Sequence, residues 1–152
     1  MTDDTISVTD TSDELVHAKS YTVSSDRTAA GASSAGIDSE EVARTAAYAA
    51  SAKKAEDIVV LELGTLSDVC DYFVIATGSN KRLADAVVDE VEEKVAASCG
   101  EHPISIEGRD EGTWILMDYG SVIVHVFTPE ARDYYRLEKL WGDAPALQLD
   151  LD

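Results

Sequence analysis

The sequence is poor in basic residues. Twelve Lys+Arg stand against 30 Asp+Glu in 152 residues, a formal net charge of −18. Proteins that hold nucleic acid by neutralising phosphates carry a basic patch. Here there are only short clusters: Lys53-Lys54, Lys81-Arg82, and Arg132 with Arg136. Little direct nucleic-acid contact is expected, and a basic protein suits the charge as partner, although the same charge also serves solubility. Cysteine is nearly absent. Cys70 and Cys99 lack CxxC spacing, so two idle thiols in a cytoplasmic protein are the expectation. The three histidines, His17, His102 and His125, are scattered, which speaks against a metal site. No apolar run approaches a membrane span. Residues 1–37 hold six acidic and two basic residues and lack a basic stretch followed by an apolar one. Neither a secretory signal nor a transit peptide is therefore expected. P-loop, GxGxxG, HExxH and GxSxG motifs are all missing.

What is present reads as one domain between two tails. Residues 1–37 are rich in Ser, Thr, Asp and Ala without a sustained period, which predicts a disordered acidic tail with at most a short strand at 21–23. The folded domain is expected over 38–142, followed by an acidic, Pro-containing tail at 143–152. Asp38-Ser39-Glu40-Glu41 offers a cap for an Ala-rich helix to about Ala55. "DIVVLEL" (57–63) and "YFVIAT" (72–77) read as buried strands. Ser79 is the expected cap of a second helix, with Leu83, Ala86, Val87, Val91 and Val95 on one face and Cys99-Gly100 at its end. Three strands follow at 104–108, 113–118 and 121–127. Thr128-Pro129-Glu130 opens a last helix to about Trp141, expected to bury Ala131, Tyr134, Leu137, Leu140 and Trp141. The order α-β-β-α-β-β-β-α, with continuous apolar strands, predicts an α/β fold whose sheet is covered by helices.

The densest stretch is "GTWILMDYGSVIVHVF" (112–127), which sets Trp114, Asp118 and His125 in an apolar run. A hairpin turning at Tyr119-Gly120 pairs Asp118 with Ser121, Leu116 with Ile123 and Trp114 with His125, all on one face. Asp118 and His125 then lie four residues apart along the ladder, about 13–14 Å. Proton transfer needs about 2.6–3.2 Å between heavy atoms, so this pair is not a catalytic dyad. Asp118 before a turn is commonly an Asx residue, and His125 beside Trp114 is commonly a packed, hydrogen-bonded histidine. The face reads equally as core under a helix or as an interface patch.

An enzymatic alternative is a divergent Mg²⁺-dependent nucleotidyltransferase, using Gly78-Ser79 with acidic residues such as Asp71 and Asp118. Gly-Ser at a helix start can hold an anion through backbone N–H groups, but it is more often only a cap. Such an enzyme wants two or three carboxylates converging on the metal. After Ser79 come Asn80, Lys81 and Arg82, and the one Asp-x-Asp outside residues 1–37, Asp150-Leu151-Asp152, falls in the expected tail. No enzyme, metal or cofactor is expected.

The strings "DIVVLEL", "SDVCDYFVIATGSN", "IEG", "WILMDYGSVIVHVF" and "ARDYYRLEKLW" resemble, in order and spacing, the ribosomal silencing factor family (RsfS or Iojap). The resemblance covers about Ser39 to Trp141. Its most specific part is Glu107-Gly108, Trp114-x-x-x-Asp118-x-Gly120, Val124-His125 and Tyr135-x-Leu137-Glu138-x-Leu140-Trp141. It implies a nucleotidyltransferase-like mixed sheet without the catalytic carboxylates. It implies binding to the large ribosomal subunit through ribosomal protein fourteen, a basic protein, so that the small subunit cannot join and translation falls when nutrients are scarce. A ribosome-associated module with another main partner is the blander reading. The resemblance also implies a homodimer when free. Partner-binding residues map onto Glu107, Gly108, Trp114, Asp118, Tyr119, Gly120 and His125. Asn80 after Gly-Ser, residues 1–37 and the extended C-terminus depart from the family pattern.

Overall fold

Asp38 starts the fold by accepting the Glu40 N–H on its side chain at 3.0 Å. The computed structural model describes residues 38–64 and 70–151. The expected N-terminal tail and the strand at 21–23 lie outside the described residues. Helix α1 is Ser39–Ala52, and it buries Val42, Ala43, Ala46, Ala47, Ala49 and Ala50. These small side chains let it lie close to both the sheet and α2, Lys81–Cys99. The cap of α2 is Asn80, not Ser79: its Oδ1 accepts the Leu83 N–H at 2.8 Å. Ser79 sits one residue too early for that bond. Gly100, at φ +70, ends α2 in the left-handed conformation that favours glycine.

The strands are β1 (Glu56–Glu62), β2 (Tyr72–Thr77), β3 (Ser105–Glu107), β4 (Trp114–Asp118) and β5 (Val122–Phe127). They form one mixed sheet in the order β1-β2-β5-β4-β3, with β2 and β5 parallel and the other pairs antiparallel. The expected α/β class with a helix-covered mixed sheet is therefore what the chain adopts. Every residue of β4 and β5 is buried, because helices cover both faces. Val60, Val74, Ile115, Met117, Val124 and Val126 face α1 and α2. Leu61, Phe73, Trp114, Leu116, Ile123 and Phe127 face the C-terminal helices. Burial on both sides explains why these strands read as continuous apolar runs.

The last helix differs from expectation. It splits into α3 (Pro129–Tyr135) and α4 (Leu137–Leu140), because Arg136 between them is left-handed at φ 49 and ψ 51. The break resets the helical phase. Ala131 and Leu137 are buried as expected and Trp141 packs partly into the core, but Tyr134 and Leu140 are 59% and 40% exposed. Part of the segment 143–152, expected as a tail, lies along β1: Leu61 bridges to Ala146, and the Leu147 N–H donates to the Val60 carbonyl at 2.8 Å. Among the described residues no helix is long and apolar enough to cross a membrane.

Candidate partner-binding site

The β4–β5 hairpin carries most of the expected site. Its turn lies one residue later than predicted. The Tyr119 N–H donates to the Val122 carbonyl at 2.9 Å, leaving Gly120 and Ser121 at the tip. Gly120 has φ +94. Placing glycine, not Tyr119, at the first central position removes the cost of a positive φ on a bulky residue. The register becomes Trp114 with Phe127, Leu116 with His125 and Asp118 with Ile123. The pairing slips by two residues, a full side-chain period, so the side chains keep their faces.

Asp118 and His125 are therefore two ladder positions apart, about 7 Å, rather than four. They still form no dyad. The Asp118 carboxylate accepts the Gly120 N–H at 2.8 Å, the expected Asx contact. His125 Nδ1 accepts the Trp114 indole N–H at 3.1 Å, and Nε2 has no hydrogen-bond partner among the described residues. The indole bond places the histidine proton on Nε2. The ring lies edge-on to Phe73, with centroids 4.6 Å apart.

Burial of His125, helped by the charge of Arg132, pushes its pKa from 6.5 down to about 3. The neutral imidazole is the folded form, whereas the unfolded chain takes up a proton below about 6.5. The contribution is therefore complete above pH 6.5 and is lost as pH falls toward 3. Stability should be about 2 kcal/mol lower at pH 5 than at pH 7.5 from this group alone. His125→Asn keeps an acceptor for Trp114 but does not titrate. Urea unfolding at the two pH values should show a correspondingly smaller loss for the variant; equal losses would rule out His125 as the origin.

Five of the seven expected partner-binding residues are inside the molecule. Trp114 is 8% exposed, Tyr119 7%, Asp118 and His125 0%, and Gly120 is also buried. Burial corrects the picture of Trp114 and His125 as an open docking face: the C-terminal helices cover it. Tyr135 of α3 packs against Trp114 at 4.6 Å, and Trp141 meets Phe73 edge-on at 5.7 Å. Glu107 and Gly108, at the end of edge strand β3, are exposed. Just beyond them Arg109 reaches Asp85 and Asp89 of α2 at 2.7 and 2.8 Å, which ties the β3–β4 connection down.

Arg132 was missed by sequence reasoning. Its side chain is 11% exposed, donating to Thr77 Oγ1 at 2.7 Å and to the Glu138 carboxylate at 2.8 Å. It thus fastens α3, α4 and the end of β2 together. Burial raises the pKa of Glu138, but the Arg132 hydrogen bond and charge outweigh it and hold the carboxyl below its ordinary value. The spacing of six residues between Arg132 and Glu138 is not a helical pairing, so the sequence offers no signal for it.

The Gly-Ser element and the two carboxylates named for the enzymatic alternative are not brought together. Asp71 precedes β2 and its N–H donates to the Ser121 carbonyl, near the hairpin tip and Asp118. The Gly78 N–H donates to the Phe127 carbonyl, at the opposite end of β2. About 20 Å of strand separates the Gly-Ser element from both carboxylates. Gly78 has a packing role instead: a Cβ there would lie 2.7 Å from the Ala84 backbone of α2. Among the described residues, no three or more His, Cys, Asp or Glu are grouped to hold a metal ion.

Comparison with known proteins matches residues 37–152 to the family model described as "Ribosomal silencing factor during starvation". The ribosomal silencing factor RsfS of Bacillus subtilis is 41% identical over 114 residues, covering 75% of this chain and 96% of the relative. The mouse protein "Mitochondrial assembly of ribosomal large subunit protein 1" is 36% identical over 91 residues, covering 59% of this chain and 40% of that protein. A crystal structure from Chromobacterium violaceum superposes with TM-score 0.67 at 31% identity, covering 76% of this chain and 95% of the other. The motifs, the fold and the matched length agree: this chain belongs to the ribosomal silencing factor family.

Proposed function

We propose that this protein binds the large ribosomal subunit through the basic ribosomal protein fourteen. Occupying that site sterically blocks the small subunit from joining and represses translation under nutrient limitation. The family match over residues 37–152 carries the reading. The name of the mouse relative, which refers to assembly of the ribosomal large subunit, supports it. The net charge of −18 supports a basic protein partner and an orientation that keeps most of the surface off the ribosomal RNA. Silencing of this kind is occlusion: no bond is made or broken, and neither metal nor cofactor takes part. The protein works in the cytoplasm, as a homodimer when free.

The seven site residues divide by burial. Glu107 and Gly108 meet the partner at the β3 edge. Trp114, Asp118, Tyr119, Gly120 and His125 act from behind it, holding β4 and the hairpin tip where β3 pairs. Sedimentation with separated ribosomal subunits tests the whole reading. The protein should travel with large subunits and reduce their joining to small ones. Absence from the large-subunit fraction would defeat the function itself. Glu107→Lys reverses an exposed charge and should weaken binding about tenfold or more, increasingly at low salt. An unchanged affinity would remove Glu107 from the contact while leaving the function standing.

A further inference from the structure

β1 is the outermost strand of the sheet and pairs with β2 on one side only. Its sequence, EDIVVLE, is rich in branched apolar residues. Such an edge is a template for adding another strand. Here the outer side is already occupied by the C-terminal segment. The Glu62 N–H donates to the Pro145 carbonyl at 2.8 Å, and the Leu147 N–H donates to the Val60 carbonyl at 2.8 Å. Leu61 bridges to Ala146 between them. From the helix side, Arg44 Nη1 donates to the Gln148 carbonyl at 2.9 Å. Leu147 and Leu149 pack against the core facing α1 and α2, while Ala144 packs against the opposite core.

We propose that residues 143–149 are a strap that closes the β1 edge against pairing with β1 of a second copy of this chain. Three features fit that role. The strap makes a two-bond contact that occupies the outward donor of Glu62 and the outward acceptor of Val60. Pro145 has no N–H to offer outward, Asp143 opens the segment and Asp150 and Asp152 follow it in sequence, so the strap does not become a new sticky edge. The ladder between β1 and β2 is irregular between Glu56 and Val59, which leaves Val59 to Glu62 as the regular, pairable part. The acidic ends of β1, Glu56 and Asp57 at one end and Glu62 at the other, come opposite one another in an antiparallel pair of copies. Edge pairing is therefore deepened by salt.

The test uses the full chain. Leu147→Pro removes the N–H that reaches Val60, and Arg44→Ala releases the strap from α1 while leaving its backbone intact. Amide exchange should show the Glu62 N–H protected in the wild type. Leu147→Pro should speed its exchange by about tenfold or more while Val74 in β2 stays protected, and Arg44→Ala should shift it the same way by less. Sedimentation velocity over a concentration series should show both variants forming larger species than the wild type, more so in high salt. An unprotected Glu62 amide in the wild type would overturn the proposal. So would variants that expose Glu62 yet sediment as the wild type does. If Leu147→Pro does not fold, Arg44→Ala decides alone: unchanged exchange or unchanged association overturns the proposal.

Discussion

Trp114→Ala is expected to destabilise the fold by about 3–5 kcal/mol, the range for removing a large aromatic from a core. The indole stacks on Phe127 with centroids 5.0 Å apart and packs on Tyr135, and its N–H is the bond that His125 Nδ1 accepts. Truncation opens a cavity under the C-terminal helices and strands a buried acceptor as well. Trp114→Phe separates these effects. It keeps most of the ring area and loses the N–H, so it should cost about 1–3 kcal/mol, the penalty of one unsatisfied buried group. Urea unfolding of the three proteins measures both steps. If Trp114→Ala costs under 1 kcal/mol, Trp114 is not the core residue described here. The same variants bear on partner binding. Trp114→Ala should weaken large-subunit binding only as far as it unfolds the chain or loosens β3. A folded Trp114→Ala protein with abolished binding would instead make Trp114 a direct contact.

The second large effect is expected at Gly108. Its φ is +91, and a Cβ there would lie 2.2 Å from the Trp114 carbonyl oxygen. Gly108→Ala therefore meets two costs at once. The positive φ alone costs about 1–3 kcal/mol for a residue with a side chain. The backbone clash adds to that, because the carbonyl belongs to β4 and cannot rotate away like a flexible side chain. The outcome should be local: β3 is displaced from β4, breaking the pairing of Ile106 with Met117 and of Glu107 with Leu116. Amide exchange should rise at these residues, and large-subunit binding should fall together with the position of Glu107. A Gly108→Ala protein with wild-type melting temperature and wild-type protection at Ile106 would contradict this account.

Much of this arrangement was legible along the chain. The main apolar stripes of the first two helices followed from spacings of three and four, unlike that of the last, and each strand was bounded to within one or two residues by its branched apolar run. The hairpin shows why a wrong turn did limited damage. Moving the tip from Tyr119-Gly120 to Gly120-Ser121 re-paired every residue, yet alternation kept Trp114, Leu116, Asp118, Ile123 and His125 on one face. The distance between Asp118 and His125 was overestimated, but the rejection of a dyad survived, since each group is engaged elsewhere.

Other features were out of reach for a physical reason. The left-handed Arg136 is not a glycine or an asparagine, the residues that announce such a conformation. Beside it the Arg132 side chain fastens Thr77 and Glu138, groups 55 and 6 residues away. The C-terminal segment is acidic and contains a proline, which reads as a tail until β1 offers it an edge.

The sequence by itself determined the first two helices, the five strands, the acidic character and the family, because these rest on neighbours a few residues apart and on motif order. Only the tertiary structure decided the strand order, the parallel pairing of β2 with β5 and the burial of the hairpin face. Those depend on contacts between distant segments, whose sum is invisible in any short window. His125 is the plainest case. Its type and face could be read from the chain, but its neutral, fully buried state is set by Trp114, Phe73 and Arg132 closing around it.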